Sequence, residues 1–252
     1  MSDEVTAALL IIGNEILSGR TQDVNLNYIA LGLGQVGIRL KEVRVVADDE
    51  SAIITAVRSL SEGYDYVFTT GGIGPTHDDI TAECVAKAFN VPLRRDPRAV
   101  AKLLEQIKPE DLNEARLRMA NIPEGAELID NPVSKAPGFR IGNVHVMAGV
   151  PRIMQAMFDG IKPCLKGGAK IASCSVVIYA PEGSVGTALA AIQAAAPETE
   201  IGSYPFVRQG RFGTIIVTRG TDPAKVSEVS AQVQAMARDL GAEFEDQGLK
   251  LP

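Results

Sequence analysis

Tryptophan is absent from the 252 residues, and histidine occurs only as His77 and His145. A zinc site of histidines and cysteines is therefore disfavoured, and any metal is expected on oxygen ligands. Cysteine is scarce too: Cys84, Cys164 and Cys174 are odd in number and form no CxxC pair. That argues against a disulfide framework and for a reducing cytoplasm. Positive charge never accumulates, the longest Lys/Arg block being the pair Arg94-Arg95, and the net charge is −6 with a pI of about 5.1. Non-specific nucleic-acid binding needs a basic face, so no nucleic-acid partner is expected. Long apolar runs are missing as well; the cleanest, AALLII at 7–12, is far too short to span a bilayer, so no membrane partner is expected. The first residues, MSDEV, lack the charged-then-apolar layout of a secretory leader.

What is present is ample for one or two buried cores: 46% hydrophobic and 22% charged residues. TAALLIIG (6–13) is a continuous apolar run, as in a strand buried on both faces. NLNYIALGLGQVG (25–37) places Leu26, Ile29, Ala30 and Leu33 on one helical face. IRLKEVRVV (38–46) alternates as a strand, DESAIITAVRSLSEG (49–63) reads as a helix, and YDYVFTT (64–70) as a third strand. Strand, helix, strand, helix, strand predicts an open, mostly parallel α/β sheet. Helices are expected at 79–89, 99–107 and 112–119, a strand in GNVHVMAGV (142–150), and a helix from Arg152 to about Leu165. The pattern resets at KGGAK (166–170), which divides the chain into 1–168 and 169–252, with residues 1 to about 165 expected to fold alone. Beyond it, strand, helix, two strands joined by RQG (208–210), and a helix over 222–240 suggest a small α+β sandwich with an antiparallel sheet.

GLGQVG (32–37) matches the dinucleotide pattern GxGxxG, but it ends a helix and precedes a strand. The fingerprint works only in the opposite context, so these glycines read as a helix C-cap and turn. TTGGIGPTHDDIT (69–81) does follow a strand and precede a helix, where open α/β sheets bind ligands. No GK[ST] closes it, so it is not a P-loop. Its glycines let backbone N–H groups approach an anion. Asp78 and Asp79 suit a helix start electrostatically, which makes a cap one reading of each. One cap explains one aspartate; a hard divalent cation between carboxylates and phosphates explains two. Glu15 follows the first strand and Asp48 the second, so three consecutive strand–helix junctions carry acids. Asp48 also fits a helix N-cap, in Asp-x-x-Ser. His77 is a candidate phosphate contact, while His145 reads as a strand residue. Lys135, in the turn-rich NPVSKAPGF (131–139), is a surface charge or a phosphate contact.

The 69–81 loop closely resembles the signature of the molybdopterin-binding domain of molybdenum-cofactor biosynthesis proteins. IGNEILSG (12–19), DVNLNYIALGLGQVGI, NP…APGF, GVPRIMQAMF and, later, IGSYP (201–205) resemble more specifically the competence/damage-inducible protein A family. The resemblance covers almost the whole chain. It implies a three-layer molybdopterin-binding-like α/β fold followed by that family's middle domain. It also implies either adenylylation of a pterin or metal-dependent hydrolysis of ADP-ribose. On it, Asp79 falls on the catalytic aspartate and Asp48 on the acid after the second strand, while Thr70, Gly71, Gly72 and Gly74 fall on the ligand-binding loop. Pro75, Thr76, Asn14 and Gly138 are further expected ligand-binding residues, and the acids at the strand ends, Asp48, Asp79, Asp78 and Glu15, are expected to hold Mg, Mn or Co. A nucleotide or pterin is the expected small-molecule ligand, and a homo-oligomer the expected assembly. The chain departs from the family pattern with SKAPGF in place of GTAPGF and AGVP in place of PGVP. The C-terminal domain that many members carry, which removes an amide from a pyridine nucleotide, finds no counterpart here, so that activity is not expected. A metal-dependent ADP-ribose pyrophosphatase is the favoured expectation, with a molybdopterin adenylyltransferase and a non-catalytic binding module as alternatives.

Overall fold

The structure is a computed structural model that describes residues 4–208 and 210–250, so residues 1–3 of MSDEV and Gln209 of the RQG turn lie outside the described residues. The chain divides into two compact units, Met1–Gly168 and Ala169–Pro252. The first unit runs β1 (Val5–Ile12), α1 (Asn14–Leu17), α2 (Asn25–Gln35), β2 (Ile38–Val46), α3 (Glu50–Gly63), β3 (Tyr66–Thr70) and α4 (Thr81–Ala88). It continues with β4 (Leu93–Arg95), α5 (Pro97–Leu104), α6 (Glu114–Leu117), β5 (Asn121–Pro123), β6 (Glu127–Ile129), β7 (Gly138–Ile141), β8 (Val144–Met147) and α7 (Pro151–Ile161).

Six strands form one sheet in the order β2-β1-β3-β8-β7-β6. The four from β2 to β8 are mutually parallel, and β7 and β6 add on antiparallel. The apolar run of β1 explains its central place. Ala8, Leu10 and Ile12 join the core beneath α3, α4 and α5, while Ala7, Leu9 and Ile11 join the opposite core beneath α2 and α7. Successive side chains on a strand point to opposite faces, so a strand covered on both sides must be apolar throughout. Leu9 and Leu10 are both fully buried, each worth about 1.5–3 kcal/mol. The result is the expected three-layer, mostly parallel α/β fold.

The helices follow their apolar stripes. On α3, Ile53, Ala56, Val57 and Leu60 are buried at helical spacing. The GLGQVG segment behaves as a helix end: Gly37, at φ +75°, follows α2, and its N–H donates to the Gly34 carbonyl at 3.1 Å. Gly32 lies inside α2, where a Cβ would stand 2.4 Å from the Phe158 ring. The expected helix at 99–107 begins earlier, because Asp96 caps it and Pro97 occupies its first turn. The one at 112–119 shortens to α6, capped by Asn113 and followed by a 3₁₀ turn at Arg118–Ala120.

His145 is a strand residue, as read from sequence. Its ring stacks on Phe68 at 5.1 Å between centroids, and Nδ1 lies 3.3 Å from the Asn143 carbonyl. Burial, with Arg140 as a lesser cause, pushes its pKa down to about 4 against a weaker opposing pull from the Asn143 carbonyl. The neutral ring therefore stabilises the fold fully above about pH 6.5, and this contribution is lost as pH falls from there toward 4. At pH 5 the loss is about 2 kcal/mol. His145→Phe is expected to flatten this part of the stability profile. Urea midpoints at pH 7 and pH 5 check it, and an unchanged wild-type slope in the variant would contradict the assignment.

The second unit runs β9 (Ala172–Ile178), α8 (Glu182–Ala195), β10 (Glu200–Arg208), β11 (Arg211–Gly220), α9 (Pro223–Asp239) and β12 (Phe244–Lys250). Its sheet has the order β10-β11-β9-β12, and every neighbouring pair is antiparallel. Val185 and Leu189 of α8 and Val233, Met236 and Ala237 of α9 pack with Val176, Ile178 and Ile216. The α+β sandwich is thus as expected, but the order gains a last strand. FEDQGLK hides it, because polar residues and a register shift between Asp246 and Leu249, with Gly248 at φ +74°, break the alternation.

Among the described residues no helix is long and apolar enough to cross a membrane.

Candidate functional site

The parallel strands β1, β2, β3 and β8 all deliver their carboxyl ends to one edge of the first unit's sheet. There the first two strand ends are tied together. Gly13 donates its N–H to the Val46 carbonyl at 3.1 Å, and Asn14 donates its N–H to Asp48 Oδ2 at 2.9 Å. Asp48 is therefore not the cap of α3. Asp49 is, accepting from the Ala52 N–H at 2.9 Å and the Ser51 hydroxyl at 2.7 Å. The Ser51 hydroxyl first, and the Ala52 N–H second, hold the Asp49 carboxyl below the usual range. The sequence pair Asp48-Asp49 splits into a cap and a tie, and Asp48 keeps the half-buried place at the sheet edge. Glu15 is exposed in the first turn of α1, its carboxylate folded back over Gly13, where a Cβ would meet it at 2.7 Å.

Beyond β3 the chain leaves the sheet through Gly71 (φ +104°) and Gly72 (φ +66°), conformations that L side chains rarely adopt. A Cβ at Gly71 would lie 2.1 Å from the Ile12 carbonyl oxygen, and one at Gly72 would lie 2.1 Å from Thr81 Oγ1. The loop is folded back on the helix start: Thr81 donates its hydroxyl to the Gly71 carbonyl and its N–H to the Gly72 carbonyl, both at 3.0 Å. Asp79 does not cap α4, whose N-cap is Ile80 without a side-chain bond. Instead Asp79 Oδ2 accepts from the Thr76 N–H at 2.8 Å and from the Thr76 hydroxyl at 2.5 Å, closing the tip of the loop. The cap reading of Asp78 and Asp79 is corrected accordingly: helix α4 starts two residues later than their pattern suggested.

Asp78, Pro75 and His77 are exposed, the His77 side chain to 96%, with Nδ1 4.0 Å from Asp78 Oδ1. The Thr76 hydroxyl, then the Asp78 backbone N–H and His77, hold the Asp78 carboxyl below its usual range. Through all this, the N–H groups of Gly72, Ile73 and Gly74 have no acceptor among the described residues. Successive backbone N–H groups without a protein acceptor are the donors that anion-binding loops use.

Gly138 is buried at the start of β7, where a Cβ would stand 2.2 Å from the Val146 carbonyl oxygen, and its neighbours Pro137 and Phe139 line the cleft beside Gly72, Gly74 and Asp79. Lys135 pairs with Glu105 at 3.0 Å, a surface ion pair. Asn131 organises that turn, its side chain bonding Ser134 Oγ and the Ala136 carbonyl. Two further residues at the site carried no sequence signal. Asn25, at the start of α2, donates Nδ2 to the Gly149 carbonyl at 2.8 Å, and a Cβ at Gly149 would stand 3.2 Å from the Gly71 Cα. Asn25 thereby holds the chain after β8 against the glycine loop. Arg118 lines a small cleft of ≈ 20 Å³ beside Gly72, Gly74, Asp79 and Asn121.

A much larger cavity, ≈ 590 Å³, lies at the amino end of β3 among Tyr66, Ile129, Arg140, His145 and Met157. The loop is the candidate site despite its smaller cleft, because its N–H groups from Gly72 to Gly74 lack a protein acceptor among the described residues and Asp79 lines the cleft beside them. Among the described residues no group of three or more His, Cys, Asp or Glu is gathered to hold a metal ion. Glu15, Asp48, Asp78 and Asp79 share the edge without forming such a cluster. Cys84, in α4, is inert, its thiol pushed up to about 11 by burial and by Glu50 and Glu83.

Comparison with known proteins gives this geometry a family. Residues 8–167 match the family described as "Probable molybdopterin binding domain", and residues 170–243 match "FAD synthase, middle domain". A protein of Archaeoglobus fulgidus is 34% identical over 92% of this chain and 97% of its own length. A CinA-like protein of Desulfosudis oleivorans is 33% identical over 97% of this chain, which spans 62% of that relative. Among solved structures, "the protein CinA with unknown function" from Thermoplasma acidophilum is 37% identical with a TM-score of 0.61, covering 65% of this chain and 99% of that one. The glycine loop at the sheet edge, the three-layer fold around it and these matches together make the chain a CinA-like member of the molybdopterin-binding-domain family.

Proposed function

We propose that the chain binds a phosphorylated nucleotide or pterin at the 71–81 loop and hydrolyses the pyrophosphate bond of an ADP-ribose-like nucleotide with the help of Mg, Mn or Co. The observation that carries the binding is the run of unpaired N–H groups at Gly72, Ile73 and Gly74. A phosphate oxygen is the acceptor such a run suits. Hydrolysis adds water across the P–O–P bond: the water oxygen joins one phosphorus, the bridging oxygen leaves on the other, and two phosphomonoesters result.

The residues present fit a divalent ion of the magnesium type. Such ions take one or two protein carboxylates and complete their shell with water and substrate phosphates, so a cluster of three protein ligands is not required. Asp48 and Asp79 would hold it, since each uses Oδ2 for its backbone bond and Oδ1 takes no hydrogen bond among the described residues. When bound, the ion supplies charge neutralisation at the pyrophosphate and a more acidic water. The chain's own part is to fix the loop: Asp79 locks the Thr76 turn, Thr81 locks the glycines, and Asp48 fixes the neighbouring junction.

Exhaustive chelation is expected to stop ADP-ribose hydrolysis and leave the melting curve in place, with activity returning on addition of Mg, Mn or Co. Product analysis on chelated and reloaded protein checks this. Full hydrolysis without metal would overturn the mechanism. A second reading, binding without turnover, draws support from the match to a middle domain of FAD synthase. No hydrolysis with any metal, alongside measurable ligand binding, would favour it.

A further inference from the structure

The loop presents an electrostatic problem that its own residues do not solve. It offers N–H donors to an anion but flanks them with Asp78 and Asp79, and like charges repel a phosphate. Apart from His77, whose side chain is exposed beside Asp78, the sequence supplies no basic residue inside or adjacent to the loop. The fold does. Arg118 opens the 3₁₀ turn after α6, more than thirty residues along the chain from the loop, and lines the same cleft as Gly72, Gly74 and Asp79. The residue is half-buried, and its side chain makes no ion pair or hydrogen bond among the described residues. Arg20 and Arg152 lack a partner among the described residues too, but they are exposed; the other half-buried arginines of this unit each have one, Arg39 in Glu4, Arg44 in Glu42, Arg116 in the Asp111 carbonyl and Arg140 in Glu127.

We propose that Arg118 is a phosphate-binding residue of this site and that its guanidinium recognises the pyrophosphate portion of the ligand. This rests on the reading of the loop as a phosphate cradle. A guanidinium presents paired N–H donors that match phosphate oxygens in a bidentate fashion, and an arginine with no internal partner keeps those donors for a ligand. The cleft has room for about one water-sized group. The phosphates therefore sit at its mouth, between the Gly72–Gly74 N–H groups and the arginine, rather than within it. The assignment also divides the labour of charge: Arg118 supplies a permanent cation for binding, so affinity for phosphate does not depend wholly on a metal.

The test is calorimetric titration of the full chain with inorganic pyrophosphate and with ADP-ribose, in chelator and again with Mg. Arg118→Gln is expected to weaken both ligands by about 10- to 100-fold in chelator, the loss of one charge-assisted pair. Arg118→Lys is expected to recover part of it, because charge returns without the bidentate fork. A half-buried side chain without partners should leave the melting temperature nearly unchanged on substitution, and that melt is the check that the variant is folded. Wild-type affinity in a folded Arg118→Gln protein overturns the inference while leaving the loop assignment in place, as does a wild type that binds only with Mg and is matched there by the variant. A wild-type protein that binds neither ligand with or without Mg removes the phosphate reading itself, and this inference with it.

Discussion

Gly71→Ala is expected to destabilise the first unit by about 4 kcal/mol, the sum of a strained positive φ and an overpacked contact. Both parts come from the same position. The backbone stands at φ +104°, and a Cβ would be driven to 2.1 Å from the Ile12 carbonyl oxygen, a backbone atom that cannot swing aside. That carbonyl ends β1, the strand on which both cores are built. The expected fall in melting temperature is about 8–16 °C for a unit of this size. Gly63→Ala is the control: it ends α3 with no atom within 4 Å of a built Cβ, so alanine should be neutral or slightly stabilising. Parallel melts of the two variants decide the matter, and a Gly71→Ala protein that melts with the wild type would show the loop to be far more pliable than its geometry implies.

Asp79→Asn is expected to lower ADP-ribose turnover by at least about 100-fold, the scale of removing one preorganised electrostatic group from a reaction site. The fold should survive. The asparagine carbonyl oxygen can still accept from the Thr76 N–H, now at 2.8 Å from Asp79 Oδ2, so the loop tip keeps its closure and loses only the charge. A stability change of about 1 kcal/mol or less is expected in the same melt. Asp79→Ala separates charge from closure, because it removes both Thr76 bonds and should loosen the loop and weaken ligand binding as well. Steady-state rates and titrations on both variants give the split. Undiminished turnover in folded Asp79→Asn would remove Asp79 from the chemistry and leave it a purely structural lock.

Much of the fold was legible because its signals are local. The unbroken apolar run of β1 announced a strand buried on both faces, and 3.6-residue spacing announced α2, α3 and α9. The position of GLGQVG at a helix end dismissed a cofactor motif that its letters alone suggested. Short strands were missed for the opposite reason. The ribbon of β4 and β5 joins three-residue segments more than twenty residues apart, and β6 exists only through pairing with β7. Three residues carry too little periodicity to register, and their stabilisation comes from a partner the local pattern does not contain.

The site divides along the same line. The sequence by itself determined that residues 69–81 form a tight, glycine-turned loop between a buried strand and a helix, since positive φ demands glycine and apolar runs demand burial. It also determined that acids follow the strands. Only the tertiary structure decided what those acids do: that Asp49 rather than Asp48 caps α3, that Asp48 ties the first junction through Asn14, and that Asp79 locks Thr76. It likewise brought Asn25 behind the loop and Arg118 beside it. A cap or a turn is settled within four residues of chain, but a charge delivered from a distant segment is settled by packing, and packing is a property of the whole core.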